Sequence, residues 1–317
     1  MASTPTIFAA LADPTRLRVL MLLRAMELSV GEIAQVLGQS QPRVSRHLRI
    51  LIDAGLAERR KEGSWVFVSL AARERVEPLF LLLERWADLD GEAASITADA
   101  ARLAAVRADR AVAAQAYFAA HAGQWDALRS LHVAESEVEA AIARALAGAP
   151  LGRLIDIGTG TGRMIELFAT QADRALGVDR SPEMLRLARA KLAEAGLTAE
   201  LRQGDMYALP LPSGEADTVI LHQVLHYAQS PAAAVAEAAR QLAPGGRLLI
   251  ADFAAHEREE LRSGDAHARL GFADEAVLGW LEASGLEGRV VQHLEGGELT
   301  VTIWLGVQPA ERLKSVA

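Results

Sequence analysis

Leu154-Ile155-Asp156-Ile157-Gly158-Thr159-Gly160-Thr161-Gly162-Arg163 is a short apolar strand that runs into a glycine-rich turn and then into a helix. Glycines let the backbone take φ > 0 and approach a ligand closely, and the first N–H groups of the following helix are unpaired donors. Such a turn is built for an anionic or nucleotide-like ligand, although G-x-G-x-G alone also marks a tight strand-to-helix connection. Asp179 closes the next apolar run, Ala175 to Val178. That is about 20 residues on, where a nucleotide-binding fold places the carboxylate for the ribose hydroxyls. Gly204-Asp205-Met206 follows, then an apolar strand around Asp217 to Leu221, then Leu242-Ala243-Pro244-Gly245-Gly246-Arg247-Leu248-Leu249-Ile250.

With D-I-G-T-G-T-G, G-V-D, G-D-M and L-x-P-G-G-R-L-L-I in this order and spacing, residues about 117 to 307 resemble the class I S-adenosylmethionine (SAM) dependent methyltransferases. The resemblance implies an α/β domain with a doubly wound, Rossmann-like parallel sheet and its ligand, SAM or S-adenosylhomocysteine (SAH), at the carboxyl ends of the strands. Backbone groups around Gly158, Thr159, Gly160 and Gly162 would border the amino-acid part and the ribose. Asp156 would brace the loop or reach the ammonium through water, and Asp179 would take both ribose hydroxyls, with Arg180 and Met184 in the same set. Asp205 would accept from the adenine amino group or serve as a turn aspartate, while Met206 offers the ring a soft apolar face. Tyr117 would touch the methionine end of SAM or simply pack.

In Leu221-His222-Gln223-Val224-Leu225-His226-Tyr227, expected beside the transferable methyl, His222 or His226 would deprotonate an acceptor, order the loop or contact SAM. Methyl transfer is an in-line displacement on an activated sulfonium, so positioning supplies most of the barrier lowering and a base is optional.

At 317 residues the chain should form two domains, each with its own core. Hydrophobic content is 51%, yet no run has bilayer length and the N-terminus has no signal-peptide pattern, so a cytoplasmic location without a membrane partner is expected. Zero cysteines exclude disulfides, thiolate metal sites and thiol nucleophiles together; His, Asp and Glu ligands stay open in principle, and no metal site is expected. The net charge of −8 is unevenly spread. Residues 1–70 hold 9 Lys and Arg against 6 Asp and Glu, and the remainder 24 against 35. A small basic head on an acidic body points to a polyanion that meets only the head.

In that head, apolar residues recur at three and four from Ile7 to Leu23, with Pro14 marking a new helical start. Ser29-Val30-Gly31-Glu32 has the form of a capping box, opening a helix through Val36 that Gly38 can close. After a turn over Gln39 to Pro42, a third helix is expected over about Arg43 to Ala54, with Val44, Leu48 and Leu51 on its core face. Gln41, Arg43, Ser45, Arg46 and Arg49 lie on the other side, the arrangement of a helix-turn-helix with a basic recognition face. A hairpin with period-two alternation follows over Glu58 to Leu70, with Gly63 as its turn and Arg59, Arg60 and Lys61 as a basic wing.

Through A-L-A-D-P-T-R-L-R-V-L, P-R-V-S-R-H-L-R-I-L-I-D-A-G-L and the wing, about 90 residues resemble the arsenic-repressor (ArsR) family of winged-helix regulators. Where metal-sensing members carry cysteines, this chain has Leu28-Ser29-Val30-Gly31-Glu32, which excludes thiolate sensing.

The expected organisation is a winged-helix DNA-binding domain with a dimerisation helix over 1–90, a helical linker and lid over 91–150, and a SAM-binding methyltransferase-fold domain over 151–317. The apolar helix from Val76 to Trp86 is a core helix of the head or, the favoured reading, the dimer contact that a two-fold operator requires. Two functions fit. One is a homodimeric regulator of double-stranded operator DNA whose second domain binds SAM or SAH, with that ligand sensed. The other is a small-molecule methyltransferase with an autoregulatory DNA-binding head.

Overall fold

The computed structural model of the chain describes residues 3–62, 65–90, 98–105, 120, 134–264, 266–295 and 297–310. Two compact units divide it, Met1–Ala113 and Ala114–Ala317.

Proline at helix starts and a glycine at a helix end punctuate the first unit. It runs α1 (Thr4–Leu11), α2 (Pro14–Ala25), β1 (Leu28–Ser29), α3 (Val30–Leu37), α4 (Gln41–Asp53), β2 (Ala57–Glu62), β3 (Trp65–Leu70), α5 (Arg73–Asp90) and α6 (98–105). Asp13 caps α2 by accepting from the Arg16 amide at 3.1 Å. The capping box forms as the sequence implies: Ser29 Oγ accepts from Glu32 N at 3.3 Å and the Glu32 carboxylate accepts from Ser29 N at 2.8 Å. Gly38, at φ 64°, ends α3 in the left-handed conformation that a residue with a Cβ avoids.

The next helix begins at Gln41, ahead of the expected Arg43, because Pro42 fits the first turn where no N–H is needed. Val44, Leu48 and Leu51 are buried in the core of the unit. Strands pair in the order β1-β3-β2, all antiparallel, with Glu62 opposite Trp65. Period two fails on β2, where Glu58, Arg59, Arg60 and Lys61 are all exposed. β2 is an edge strand, and its charges oppose pairing with another chain. The expected turn residue Gly63 lies outside the described residues. Helix α6, in the stretch expected to be linker, contributes Leu103 to this unit's core.

The second unit runs α7 (Glu135–Leu146), β4 (Arg153–Ile157), α8 (Arg163–Phe168), β5 (Arg174–Asp179), α9 (Pro182–Glu194), β6 (Glu200–Gln203), β7 (Ala216–His222), α10 (Pro231–Arg240), β8 (Leu242–Phe253), α11 (Glu260–Gly264), α12 (Asp274–Ala283), β9 (Glu287–Leu294) and β10 (Val301–Val307). Its seven strands lie in the order β6-β5-β4-β7-β8-β10-β9. Pairing is parallel from β6 through β8, while β10 runs antiparallel to both β8 and β9. The expected doubly wound, mostly parallel sheet thus carries one reversed strand, β10.

Along β8 the side chains alternate. Leu248 and Ile250 enter the core shared with α10 and α12, and Leu249 and Ala251 enter the core shared with α7 and α8. Covering both faces explains why these strands read as unbroken apolar runs. Strand order reverses at β4, which opens a crevice at the carboxyl ends of β4, β5 and β7. Among the described residues no helix is long and apolar enough to cross a membrane.

Ser29→Ala removes the buried cap of α3 and should lower the stability of the first unit by about 1 kcal/mol. Denaturant unfolding followed by far-UV circular dichroism measures it.

Candidate functional site

The glycine turn is held from both sides before any ligand arrives. Gly158 N and Thr159 N both donate to Val178 O, at 2.8 and 3.0 Å, and Gly160 N donates to Asp179 Oδ2 at 2.8 Å. Gly158, at φ 73°, has no room for a side chain, since a Cβ there would lie 2.3 Å from Val224 Cγ2. At Gly162 a Cβ would lie 3.1 Å from that of Ala188. Two of the three glycines therefore serve close packing of the protein against itself. Arg163, first in α8, makes a bidentate pair with Glu139 of α7 at 2.6 and 2.8 Å and reaches Glu166 at 2.8 Å. The Glu139 hydrogen bonds raise the Arg163 pKa against the opposing effect of burial, with Glu166 adding to the rise.

Asp179 ends β5. Its Oδ1 accepts from Ser181 N at 2.8 Å, and Oδ2 takes the Gly160 amide. Burial pushes its pKa above the usual carboxylate value, opposed by the amides of Ser181, Gly160 and Arg180. Each oxygen keeps a lone pair for a further donor. Ser181 caps α9 by accepting from Met184 N at 3.2 Å, and the Met184 side chain is buried, whereas Arg180 is exposed. Gly204 N donates to Asp179 O at 3.0 Å and so brings Asp205 and Met206, both half-buried, to the same strand ends. Asp205 Oδ1 accepts from Tyr207 N at 3.0 Å, which makes it a turn aspartate with one oxygen still to offer. Asp156 is buried below the loop, and Thr159 Oγ1 is buried without a hydrogen-bond partner among the described residues. Tyr117 lies outside the described residues.

Gln223, directly after β7, holds φ 48°, a strained conformation for a residue with a Cβ, and its amide donates to Ala251 O at 2.7 Å. Beyond it the chain turns back over the glycine loop, where Val224 fills the space beside Gly158. The sequence reading missed what anchors this turn, Asp252 at the end of β8. Fully buried, it accepts from Leu225 N at 2.9 Å and His226 N at 3.3 Å on Oδ2, and from Phe253 N at 2.8 Å and His226 Nδ1 at 2.8 Å on Oδ1. The carboxylate thus places the His226 proton on Nδ1 and leaves Nε2 as the acceptor. The His226 ring packs between Tyr227, at 4.0 Å between centroids, and His267, at 4.3 Å. Its carbonyl takes the amides of Ala268 and Arg269. His222 is buried at the end of β7, paired with Ala251 across the sheet. The signal for Asp252 was an acidic residue closing the all-apolar run from Leu248 to Ala251.

In the first unit, Gln41, Arg43, Ser45, Arg46 and Arg49 are all exposed on α4, and Arg59, Arg60 and Lys61 are exposed on β2. Arg60 is partly engaged, 3.4 Å from Glu27 and over the Phe67 ring.

Asp252→Ala would strand the His226 ring and three backbone amides in a dry interior, so the second unit should lose about 3 kcal/mol or more of stability. Thermal unfolding read against wild type gives the result, and an unchanged melting temperature contradicts the anchoring role.

Residues 13–59 match the family described as bacterial regulatory protein, arsR family, and residues 155–250 match a methyltransferase domain. Over 81 residues the chain is 40% identical to the arsenical resistance operon repressor of Escherichia coli, covering 25% of this chain and 69% of that protein. The chain is also 35% identical over 132 residues to a phosphatidylethanolamine N-methyltransferase of Cereibacter sphaeroides and 36% identical over 103 residues to a demethylmenaquinone methyltransferase of Thermus thermophilus. Those matches cover 41% and 32% of this chain, and the chain spans 63% and 47% of the length of the two relatives. Among solved structures, the YcgJ protein of Bacillus subtilis superposes with a TM-score of 0.49 at 18% identity, over 55% of this chain and 99% of that one. The chain belongs to the arsR family of bacterial regulatory proteins, and in it that family's helix-turn-helix is continued in one polypeptide by a methyltransferase domain.

Proposed function

We propose that the protein is a homodimeric, cytoplasmic, operator-binding transcriptional regulator whose methyltransferase domain binds SAM or SAH, and that this occupancy modulates DNA binding. One observation carries the reading: a single chain joins an exposed cationic recognition helix to an Asp179 carboxylate already oriented by the glycine turn. In the first unit, Arg43, Arg46 and Arg49 would face base edges and phosphates, and Arg59, Arg60 and Lys61 would track the backbone. Exposed Phe8 on α1 and Leu81 on α5 support a two-fold contact through those helices.

In the second unit the residues fit the nucleoside. Asp179 offers lone pairs to the ribose hydroxyls, Asp205 Oδ2 to the adenine amino group, and the unpartnered Thr159 hydroxyl lies in the turn itself. When bound, SAM would supply an activated methyl sulfonium. One feature supports the second reading, methyl transfer to a small molecule: His226, held through Nδ1 by Asp252, keeps Nε2 to take an acceptor proton.

Arg46→Ala should weaken operator binding by about 1–3 kcal/mol, and Arg59→Ala should weaken all duplexes alike while lowering the salt slope by about one. Fluorescence anisotropy at several salt concentrations tests both, and unchanged affinity in both variants retires the operator reading.

Asp179→Ala should cost about 1.5–3 kcal/mol of SAM affinity. The ionised carboxylate is the form that accepts ribose hydroxyls, and burial raises its pKa. Affinity should therefore be full at neutral pH and fall as the pH drops through that raised value, earlier than for an ordinary carboxylate. Calorimetry across pH shows this, and Asp179→Asn should remove the dependence.

A further inference from the structure

Helix α6 is tied to the back of the helix-turn-helix by a buried charge cluster. Asp99, 4% exposed, accepts from Arg18 of α2 through both oxygens, at 2.5 and 2.7 Å, and from Arg102 at 2.5 Å. Arg102 then donates through Nε to the carbonyl of Val36 at 2.6 Å. Val36 is in the last turn of α3, two residues before the left-handed Gly38 from which the chain passes to α4. The cation therefore sits on the negative end of the α3 dipole, at the turn that aims the recognition helix. Leu103 completes the attachment by entering the apolar core. Burial works against the Asp99 carboxylate, but Arg18 and Arg102 outweigh it and hold its pKa low, and Asp99 in turn raises that of Arg18.

Such a cluster is close to all-or-none, because losing one partner leaves another charge buried and unpaired. Its position in the chain gives it a second property. α6 is the last described stretch of the first unit before the second begins at Ala114.

We propose that residues 98–105 are a latch that relays the ligand state of the methyltransferase domain to the recognition helix. Ligand occupancy releases or engages Asp99 between Arg18 and Arg102, and with it the support of the α3 carboxyl end on which the turn into α4 rests. The proposal depends on the reading above that ligand occupancy modulates operator binding, and it assigns that regulation to three side chains. The latch needs two discrete arrangements, as packed interfaces shift between such states rather than deform smoothly.

The test uses the full chain, a duplex selected by the wild-type protein from random sequence, and SAM and SAH as ligands. Arg102→Gln removes the contact to Val36 while leaving the Arg18–Asp99 pair, and Asp99→Asn removes the charge that organises the cluster. In wild type, one of the two ligands should change operator affinity by about tenfold or more. In both variants SAH binding by calorimetry should stay within about twofold of wild type, while the operator response collapses to less than about twofold. Amide hydrogen exchange over residues 34–46 should rise in the variants, as local opening of α3 and the turn becomes easier. Full ligand response retained in Arg102→Gln overturns the latch and leaves the sensor reading intact. No ligand response in a wild-type protein that binds SAH overturns the sensor reading and the latch with it. Should Asp99→Asn fail to fold, Arg102→Gln decides the matter alone, since its side chain is on the exposed rim of the cluster.

Discussion

One carbonyl oxygen, that of Val178, takes two hydrogen bonds from the glycine turn, and the geometry of the second unit follows from that junction. It fixes the end of β4 against the end of β5, so that Asp179 arrives at the Gly160 amide with both oxygens directed by backbone donors. A turn free to move would have to be ordered by the ligand, at a cost in affinity. Here the folded sheet orders it beforehand, and Gly158 is required because Val224, in the turn after β7, occupies the volume its side chain would need.

Asp252 does for the other wall of the crevice what Val178 does for the first. A buried carboxylate is costly to desolvate, and this one is matched by three backbone amides and an imidazole. The result is a rigid turn after β7, carrying Val224 toward the glycine loop and His226 into an aromatic cluster. The glycine turn and the His226 ring are thereby positioned through the same short segment after β7.

The first unit is organised by caps and charge. The capping box at Ser29 and Glu32 and the left-handed Gly38 set the ends of α3, and the basic face of α4 is exposed because Val44, Leu48 and Leu51 commit its opposite face to the core. Electrostatics then separates the two halves, with the cations concentrated near the residues that would meet DNA and the acidic excess placed on the remainder.

By itself the sequence determined the features with a local cause. Strand–turn–helix at Leu154 to Arg163, the carboxylate at Asp179, the capping box, the buried stripe of α4 and the apolar strands are legible because periodicity, φ preference and capping act over a few residues. Tertiary structure alone decided the rest. It reversed β10 between β8 and β9, gave the volume beside Gly158 to Val224, paired His226 with Asp252 across 26 residues, and joined Arg18 to Asp99 across 81. It also left Glu58, Arg59, Arg60 and Lys61 of β2 all exposed where alternation was expected, on an edge strand that pairs only with β3. Each of these depends on which segments meet in space, and a buried charge is stable only where its partner arrives from elsewhere in the chain, which no local pattern encodes.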